Sequence, residues 1–560
     1  MTFPRLHMPD GHAAQRAWRP RTLILLVSAW LALAGNLPLW RTIWPLPELA
    51  GWRGTVFAAG MAVWIAAALT MLLSLLAWKG ILKPVVALLL VTAAASSYFM
   101  LQYGVVIDAT MMANVANTDV REARDLLSWP LLLNIVFIAL LPGWWLLRRP
   151  LAMRRFGPQA VRNLVGAALA LLVLLGVTLL AFQDLASLMR NHKQVRYLVN
   201  PLNTVYASGK LAFDHGSKAS RPLEAIGLDA RLGPTHAPGQ RAPLVVLVVG
   251  ETARAANFSL GGYARKTNPE LEAIAAQGPA LAYYSAVRSC GTNTQASLPC
   301  MFSHLGKEAF ESTRQPYENL LDVLQRAGLA VVWIDNQSGC KGLCDRVGKV
   351  DTFGLKTPGL CTEGECFDEI LLAGLDARIA ALDPARRARG VVLVLHQMGS
   401  HGPAYYKRVP PAFKTFMPEC ASNVLQECPR TDVVNAYDNT LVYTDHVLAG
   451  LARWLQGQAT QGGRDTAMVY VSDHGESLGE NNLYLHGLPY ALAPDTQTHV
   501  PMLSWVSEPM ARRLGLRREC LRENGAAPLS HDNLFHAMLG LLDVQTALYR
   551  RELDWFAPCR

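Results

Sequence analysis

The 560-residue sequence predicts an α-helical membrane domain of five transmembrane helices, then an α/β domain with a mainly parallel central sheet covered by helices on both faces. Three observations carry this expectation. Long apolar runs with few charges fill the chain to about residue 185. The remainder alternates short apolar strand patterns with helical ones. All ten cysteines lie between Cys290 and Cys559. The organisation is read as a transmembrane domain over 1–185, an interfacial helix and linker over 186–240, and a soluble domain over 241–560.

Five segments are apolar for about 17–25 residues, the length a membrane helix needs. They run Thr22–Leu39, Thr55–Trp78, Ile81–Leu101, Trp129–Leu147 and Leu164–Phe182. The string ALAG at Ala32–Gly35 also has the small-residue character of a signal-peptidase site. Arg5, Arg16, Arg19 and Arg21 precede the first span, Lys79 and Lys83 sit between the second and third, and Arg148, Arg149, Arg154, Arg155 and Arg162 follow the fourth. The alternate loops dilute their cations with acidic residues, including Asp119. The positive-inside bias therefore puts the N-terminus in the cytoplasm, and an odd number of spans puts the second half outside.

Cysteine usage gives the same answer independently. Short spacings pair Cys290 with Cys300, Cys340 with Cys344, Cys361 with Cys366 and Cys420 with Cys428, leaving Cys520 and Cys559. No CxxC pair favours structural zinc, so disulfides in an oxidising compartment are expected. The net charge of +9 flanks apolar spans, which argues against nucleic acid as a partner. Arg190–Phe213 mixes basic and aromatic residues, as an interfacial segment or a plain connecting helix does, and a polar linker follows over Ser217–Gly239.

In the soluble half four strand patterns end on chemistry. PLVVLVVG is followed by Glu251-Thr252, LAVVWI by Asp335-Asn336, VVLVLHQMGSHG delivers His396 and His401, and AMVYVS delivers Asp473-His474. Ligands of open parallel sheets bind at the carboxyl ends of strands, so these endings point to one site. Glu251, Asp473 and His474 offer two carboxylates and an imidazole, a set suited to Zn2+. The string RSCGTNTQASLPCMF supplies Thr292 and Thr294 between Cys290 and Cys300, on a turn leading into a helix whose N-terminal amides favour an anion. By local sequence alone these threonines are helix caps; convergence with a metal makes one a nucleophile.

The strings VVGET, SCGTNTQASLPCMFS, LHQMGSHGPAY, NAYDNTLVYTD and YVSDHGESLGENNLYLHG resemble the motifs of the phosphoethanolamine transferases that act on lipid A, a family that includes the colistin-resistance enzymes. The resemblance covers the whole architecture and implies a periplasmic domain of alkaline-phosphatase-like, sulfatase-like fold. It implies zinc ligands at Glu251, Thr294, Asp473 and His474, with Thr294 as nucleophile. It places His401 and His486 near the phosphoethanolamine group, with room there for a second zinc, and Ser338 and Lys341 in contact with substrate. Gln337, beside them, departs from the family pattern. Asn114, Thr118 and Glu122 match membrane-side substrate residues, and their spacing of four puts them on one helical face. His499, in THVPML, is a further candidate metal neighbour without an assigned role.

The resemblance implies an inner-membrane enzyme, monomeric, with phosphatidylethanolamine as donor, lipid A as acceptor and the bilayer as partner. Its reaction is ping-pong transfer through Thr294, with diacylglycerol released and the surface made less negative, hence polymyxin resistance. The alternatives are a core sugar or another envelope acceptor, a phosphoglycerol transferase or hydrolase, and an inactive membrane scaffold or sensor.

Overall fold

A computed structural model of the protein describes residues 17–118, 120–219, 221–352, 354–362 and 365–560; Arg5, Arg16 and Asp119, used above for orientation, and Ser220 of the linker lie outside them. Two compact units emerge. One comprises 1–101 and 129–206; the other comprises 102–128 and 207–560, so a segment from the apolar half of the sequence belongs to the second unit.

Among the described residues five helices are long and apolar enough to cross a membrane: Pro20–Ile43, Gly51–Leu75, Leu82–Tyr103, Trp129–Leu147 and Phe156–Leu180. The first is interrupted at Ala34–Asn36 by a tighter 3-10 turn. A paired asparagine network compensates for that break. The Asn36 amide donates to Leu31 O at 2.8 Å, and the Asn200 amide donates to Gly35 O and Ala93 O at 3.0 and 2.8 Å. Ala32 and Gly35 of the ALAG string are buried in this packing. Polar groups in an apolar bundle are tolerated where they meet such backbone partners.

The second unit is organised by an eight-stranded sheet: β1 Pro243–Gly250, β2 Leu281–Arg288, β3 Ala330–Asp335, β4 Gly348–Asp351, β5 Val391–His396, β6 Asp465–Ser472, β7 His499–Val506 and β8 Leu529–Ser530. Their order is β8-β2-β7-β6-β1-β5-β3-β4, and β7 alone runs antiparallel to its neighbours. The four strands that the sequence singled out, β6, β1, β5 and β3, are contiguous and parallel. Every residue of these four is buried, as expected of strands covered on both faces. The helix Arg430–Thr460 packs on β6, and Asp532–Leu541 contributes Leu534, Phe535 and Met538 to the main apolar core. The five disulfides join the pairs expected from spacing.

Candidate metal and nucleophile centre

Register fixes the centre. Gly250 stands opposite Ser472 and Val249 opposite His396, so Glu251 and Asp473-His474 leave adjacent strands at the same level. The Asp473 amide extends the ladder to Gly250 O at 2.9 Å. Thr252 then takes a left-handed φ of 61°, and its hydroxyl donates to Glu251 Oε1 at 2.5 Å. The loop after β5 crosses directly above. Gly399 has φ +53°, and a Cβ there would lie 2.7 Å from Glu251 O, so the crossing needs glycine. Ser400 N donates to that same oxygen at 3.0 Å.

Glu251, Asp473 and His474 are fully buried, and one ligand atom from each lies within 4.8 Å of the others. His474 Nδ1 donates to Gly475 O at 2.9 Å, which turns Nε2 toward Glu251 Oε1 at 3.2 Å and Asp473 Oδ2 at 3.4 Å. Asp473 Oδ1 accepts from Thr252 N and His474 N, whereas Asp473 Oδ2 and His474 Nε2 have no hydrogen-bond partner. Orphaned buried atoms cost about 1–3 kcal/mol each, more when charged, so two converging on one point mark a place for a cation. Electrostatics agrees. Burial and the adjacent Glu251 charge push Asp473 up to about 7. Burial works against a proton on His474, yet Asp473 and Glu251 outweigh it and raise the imidazole to about 10. Burial also opposes ionisation of Glu251, but His474, His401 and His486 hold it well below the usual carboxylate range. The cluster demands positive charge, and its two carboxylates and one imidazole fit a small divalent metal.

The loop between Cys290 and Thr294 closes over this cluster. The helix Thr294–Met301 starts at Asn293, whose side chain accepts from Ala296 N at 2.9 Å. That cap leaves Thr294 on the first turn, where its hydroxyl donates to Glu251 Oε2 at 3.0 Å. Thr292 is spent elsewhere, donating to Leu488 O at 2.6 Å. The Cys290–Cys300 bridge spans the loop and the helix. Ser297 Oγ donates to Asp473 O at 2.5 Å, and His531 joins Cys290 N to Ser472 O at 3.0 Å each, so the loop is tied to the end of β6.

A second tier surrounds the first. The His486 ring lies 4.3 Å from that of His474 and 6.0 Å from that of His401, centroid to centroid. Its Nδ1 is 3.1 Å from Glu476 Oε2. Burial raises Glu476 to about 8, while burial and the charges of His474 and His401 hold His486 well below the ordinary imidazole value. His401 Nε2 is 3.8 Å from Glu122 Oε1, which accepts from Gln337 Nε2 at 3.2 Å. Gln337 Oε1 accepts from the Ser338 hydroxyl at 2.6 Å, and Lys341 Nζ reaches that hydroxyl at 2.9 Å. Asp335 Oδ1 fixes this turn by accepting from Gln337 N and Gly339 N, and its Oδ2 accepts from Trp333 Nε1 at 2.7 Å.

The structure thus brings Glu251, Thr294, Asp473, His474, His401 and His486 together, and links Glu122 to Ser338 and Lys341 through Gln337. It corrects the reading of Asn114, Thr118 and Glu122 as one helical face. The helix Ala109–Asn117 ends before Thr118, which is extended, and Glu122 belongs to a separate helix, Val120–Asp125. Thr118 turns its hydroxyl back to Asn114 O at 2.9 Å, satisfying the carbonyl at the break. The Ala109–Asn117 helix packs on Thr294–Met301, and Met111 lies against Gly487, next to His486. His499 is occupied outside the cluster, donating from Nε2 to Ser285 O at 2.7 Å. Glu476 and His531 were missed by sequence reasoning. Glu476 carried a signal, three residues after Asp473 in the same motif; His531 carried none.

Comparison with known proteins gives concordant likenesses. Residues 243–544 match the Sulfatase family model, and residues 65–215 match the model for phosphoethanolamine transferase EptA/EptB. Phosphoethanolamine transferase EptA of Salmonella typhimurium is 38% identical over 551 residues, covering 98% of this chain and 97% of the relative. Phosphatidylethanolamine transferase Mcr-1 of Escherichia coli is 37% identical over 549 residues, covering 95% and 96%. The integral membrane lipooligosaccharide phosphoethanolamine transferase A (EptA) from Neisseria meningitidis superposes with a TM-score of 0.88 at 36% identity, covering 96% of this chain and 98% of that one.

Proposed function

The chain belongs to the phosphoethanolamine transferase family, and from that premise we propose that it moves phosphoethanolamine from phosphatidylethanolamine to a phosphate of lipid A through Thr294. One observation carries the reading: the Thr294 hydroxyl bonds to Glu251 at the point where the free atoms of Asp473 and His474 converge. Glu251, Asp473 and His474 would hold one Zn2+ with Thr294 as fourth ligand; His401 and His486 would hold a second only when they are not engaged with the phosphoryl group. Bound zinc supplies Lewis-acid charge, lowering the pKa of the hydroxyl and neutralising phosphoryl oxygens.

The chain's own groups then divide the work. Thr294 Oγ1 attacks phosphorus, a Thr294–phosphorus bond forms, and the bond from phosphorus to the diacylglycerol oxygen breaks. The proton lost by Thr294 balances the one the departing oxygen acquires. The Glu476–His486 pair supplies that proton, since the buried carboxyl keeps a proton that the imidazole gives up. Lys341 and His401 face the phosphoryl oxygens, and Glu122 faces the ammonium of the headgroup. In the second half, a lipid A phosphate gives its proton to the Glu476–His486 pair and its oxygen attacks the phosphothreonine; the Thr294–phosphorus bond breaks, and Thr294 recovers the proton it had passed to Glu251 Oε2, its hydrogen-bond acceptor.

Five spans, the distribution of Arg and Lys, and five disulfides support an inner-membrane protein with a cytoplasmic N-terminus and a periplasmic catalytic domain, which we take to act as a monomer. The added amine offsets phosphate charge at the cell surface, so cationic polymyxins bind it less. Mass spectrometry of lipid A from cells expressing the protein tests the reading. A phosphoethanolamine increment that requires Thr294 is expected. An unmodified lipid A with a modified core sugar moves the acceptor, and free phosphoethanolamine alone makes the protein a hydrolase.

A further inference from the structure

The first unit carries a feature that the transfer reaction does not use. At the end of the bundle where the first span begins, Arg19, Arg21 and Arg162 line a pocket of about 70 Å³ with Ser74, Gln159 and Asn163. The charges that act on Arg162 are those of Arg154, Arg21 and Arg19, all cations. The helix Pro20–Leu33 opens into the same pocket with no acidic residue in its first turn and no side-chain cap at Arg19, so its free amides add to the positive potential. Gln159 and Asn163 are buried and give their amides to Ala77 O at 3.2 and 3.1 Å, which makes the polar floor rigid.

Arg21, Ile24 and Ser74 also line a second cavity, an apolar groove of about 350 Å³ running from the pocket along the bundle. Leu25, Val63, Ala67, Thr70, Leu169 and Val173 form its walls. Gly166 keeps the junction open, since a Cβ there would lie 3.1 Å from Ser74 Oγ. Trp78 stacks on Phe156 with centroids 4.9 Å apart, one residue beyond the Ala77 carbonyl of the floor. Such aromatic pairs sit at headgroup depth. A cationic head pocket at that depth, continuous with an apolar groove, matches one kind of molecule.

We infer that this is a binding site for an anionic diacyl phospholipid, with the phosphate on Arg19, Arg21 and Arg162 and an acyl chain in the groove. Anionic lipids attract each nearby arginine, and basic pockets between membrane helices hold their headgroups. Three arginines give a preference for phosphatidylglycerol over phosphatidylethanolamine on the order of a hundredfold.

The test uses the full chain, delipidated in detergent and equilibrated with phosphatidylglycerol or phosphatidylethanolamine of identical acyl chains. Native mass spectrometry counts the retained lipid. One retained phosphatidylglycerol is expected, lost when Arg19, Arg21 and Arg162 all become Gln and kept when all three become Lys. Gly166→Leu, which leaves every arginine in place, should also lose it. Equal retention of phosphatidylethanolamine overturns the inference, as does retention by the triple Gln variant. So does an equal loss when Arg148 and Arg149, at the same end but outside the pocket, are replaced by Gln. Displacement of the lipid by glycerol phosphate alone would reduce the site to a phosphate site and overturn the groove's role.

Discussion

The two tiers of the candidate centre are built differently. Glu251, Asp473 and His474 stand on the ends of adjacent strands, where ladder hydrogen bonds set their positions within the sheet. Glu122, Ser338, Lys341, His401 and His486 stand on turns and a short helix held by side chains, such as Asp335 under the Lys341 turn. Asp125, three residues beyond Glu122, is anchored by Lys407 at 2.6 Å and Arg408 at 2.7 Å. On the proposed mechanism, the metal-holding groups sit where the sheet fixes them, and the groups proposed to meet the two lipids sit on the shell held by side chains.

The sharpest way to break this contrast is Thr294→Ala. Transfer should fall by at least about 10⁴, the scale of losing a covalent nucleophile, in an assay of phosphoethanolamine added to lipid A. Activity within tenfold of the parent would place the nucleophile elsewhere. Next come Glu251→Gln and Asp473→Asn, in which bound zinc, measured by elemental mass spectrometry on the purified chain, should drop to background. Chelation of the parent should abolish turnover in the same way. If both variants keep stoichiometric zinc, the strand-end tier is not the metal site. Glu476→Gln should lower turnover by about 10–100-fold while leaving zinc in place, because it orients His486 from behind. Glu122→Ala, on the adjustable shell, should raise KM by about tenfold, the scale of one hydrogen bond, with kcat little changed.

The smallest effect concerns the tie that His531 makes between the Thr294 loop and the end of β6. Burial holds His531 at about 3 instead of 6.5, because Nδ1 accepts from Cys290 N and burial opposes a second proton. Between those two values the unfolded chain binds a proton that the folded chain refuses. Stability is therefore full above pH 6.5 and declines as pH falls, by about 1.4 kcal/mol per unit, or about 2 kcal/mol at pH 5. Thermal unfolding followed against pH should show this slope, flattened in His531→Gln. An unchanged slope in that variant assigns the acid sensitivity to other groups.

The same contrast explains what could be read from the sequence. β1, β3, β5 and β6 were legible because an unbroken apolar run ending in Glu, Asp or His is a local pattern. The shell was less so. Glu122 meets Gln337 across 215 positions, and His531 meets Ser472 through a fold that no short string encodes. The spacing of Asn114, Thr118 and Glu122 misled because the threonine hydroxyl stabilises a break as readily as it decorates a turn of helix. Only family motifs brought His486 and Lys341 into view.

The position of β1 in the sheet has a consequence for synthesis. It is the first strand of the eight-stranded sheet to be made, yet its partners end at His396 and Ser472. A nascent chain that has already threaded its spans must therefore wait more than a hundred residues for its first lateral partner. Over that interval the intermediate exposes an apolar ribbon, and the Glu251–Asp473–His474 cluster is assembled late, once the chain through His474 has been made.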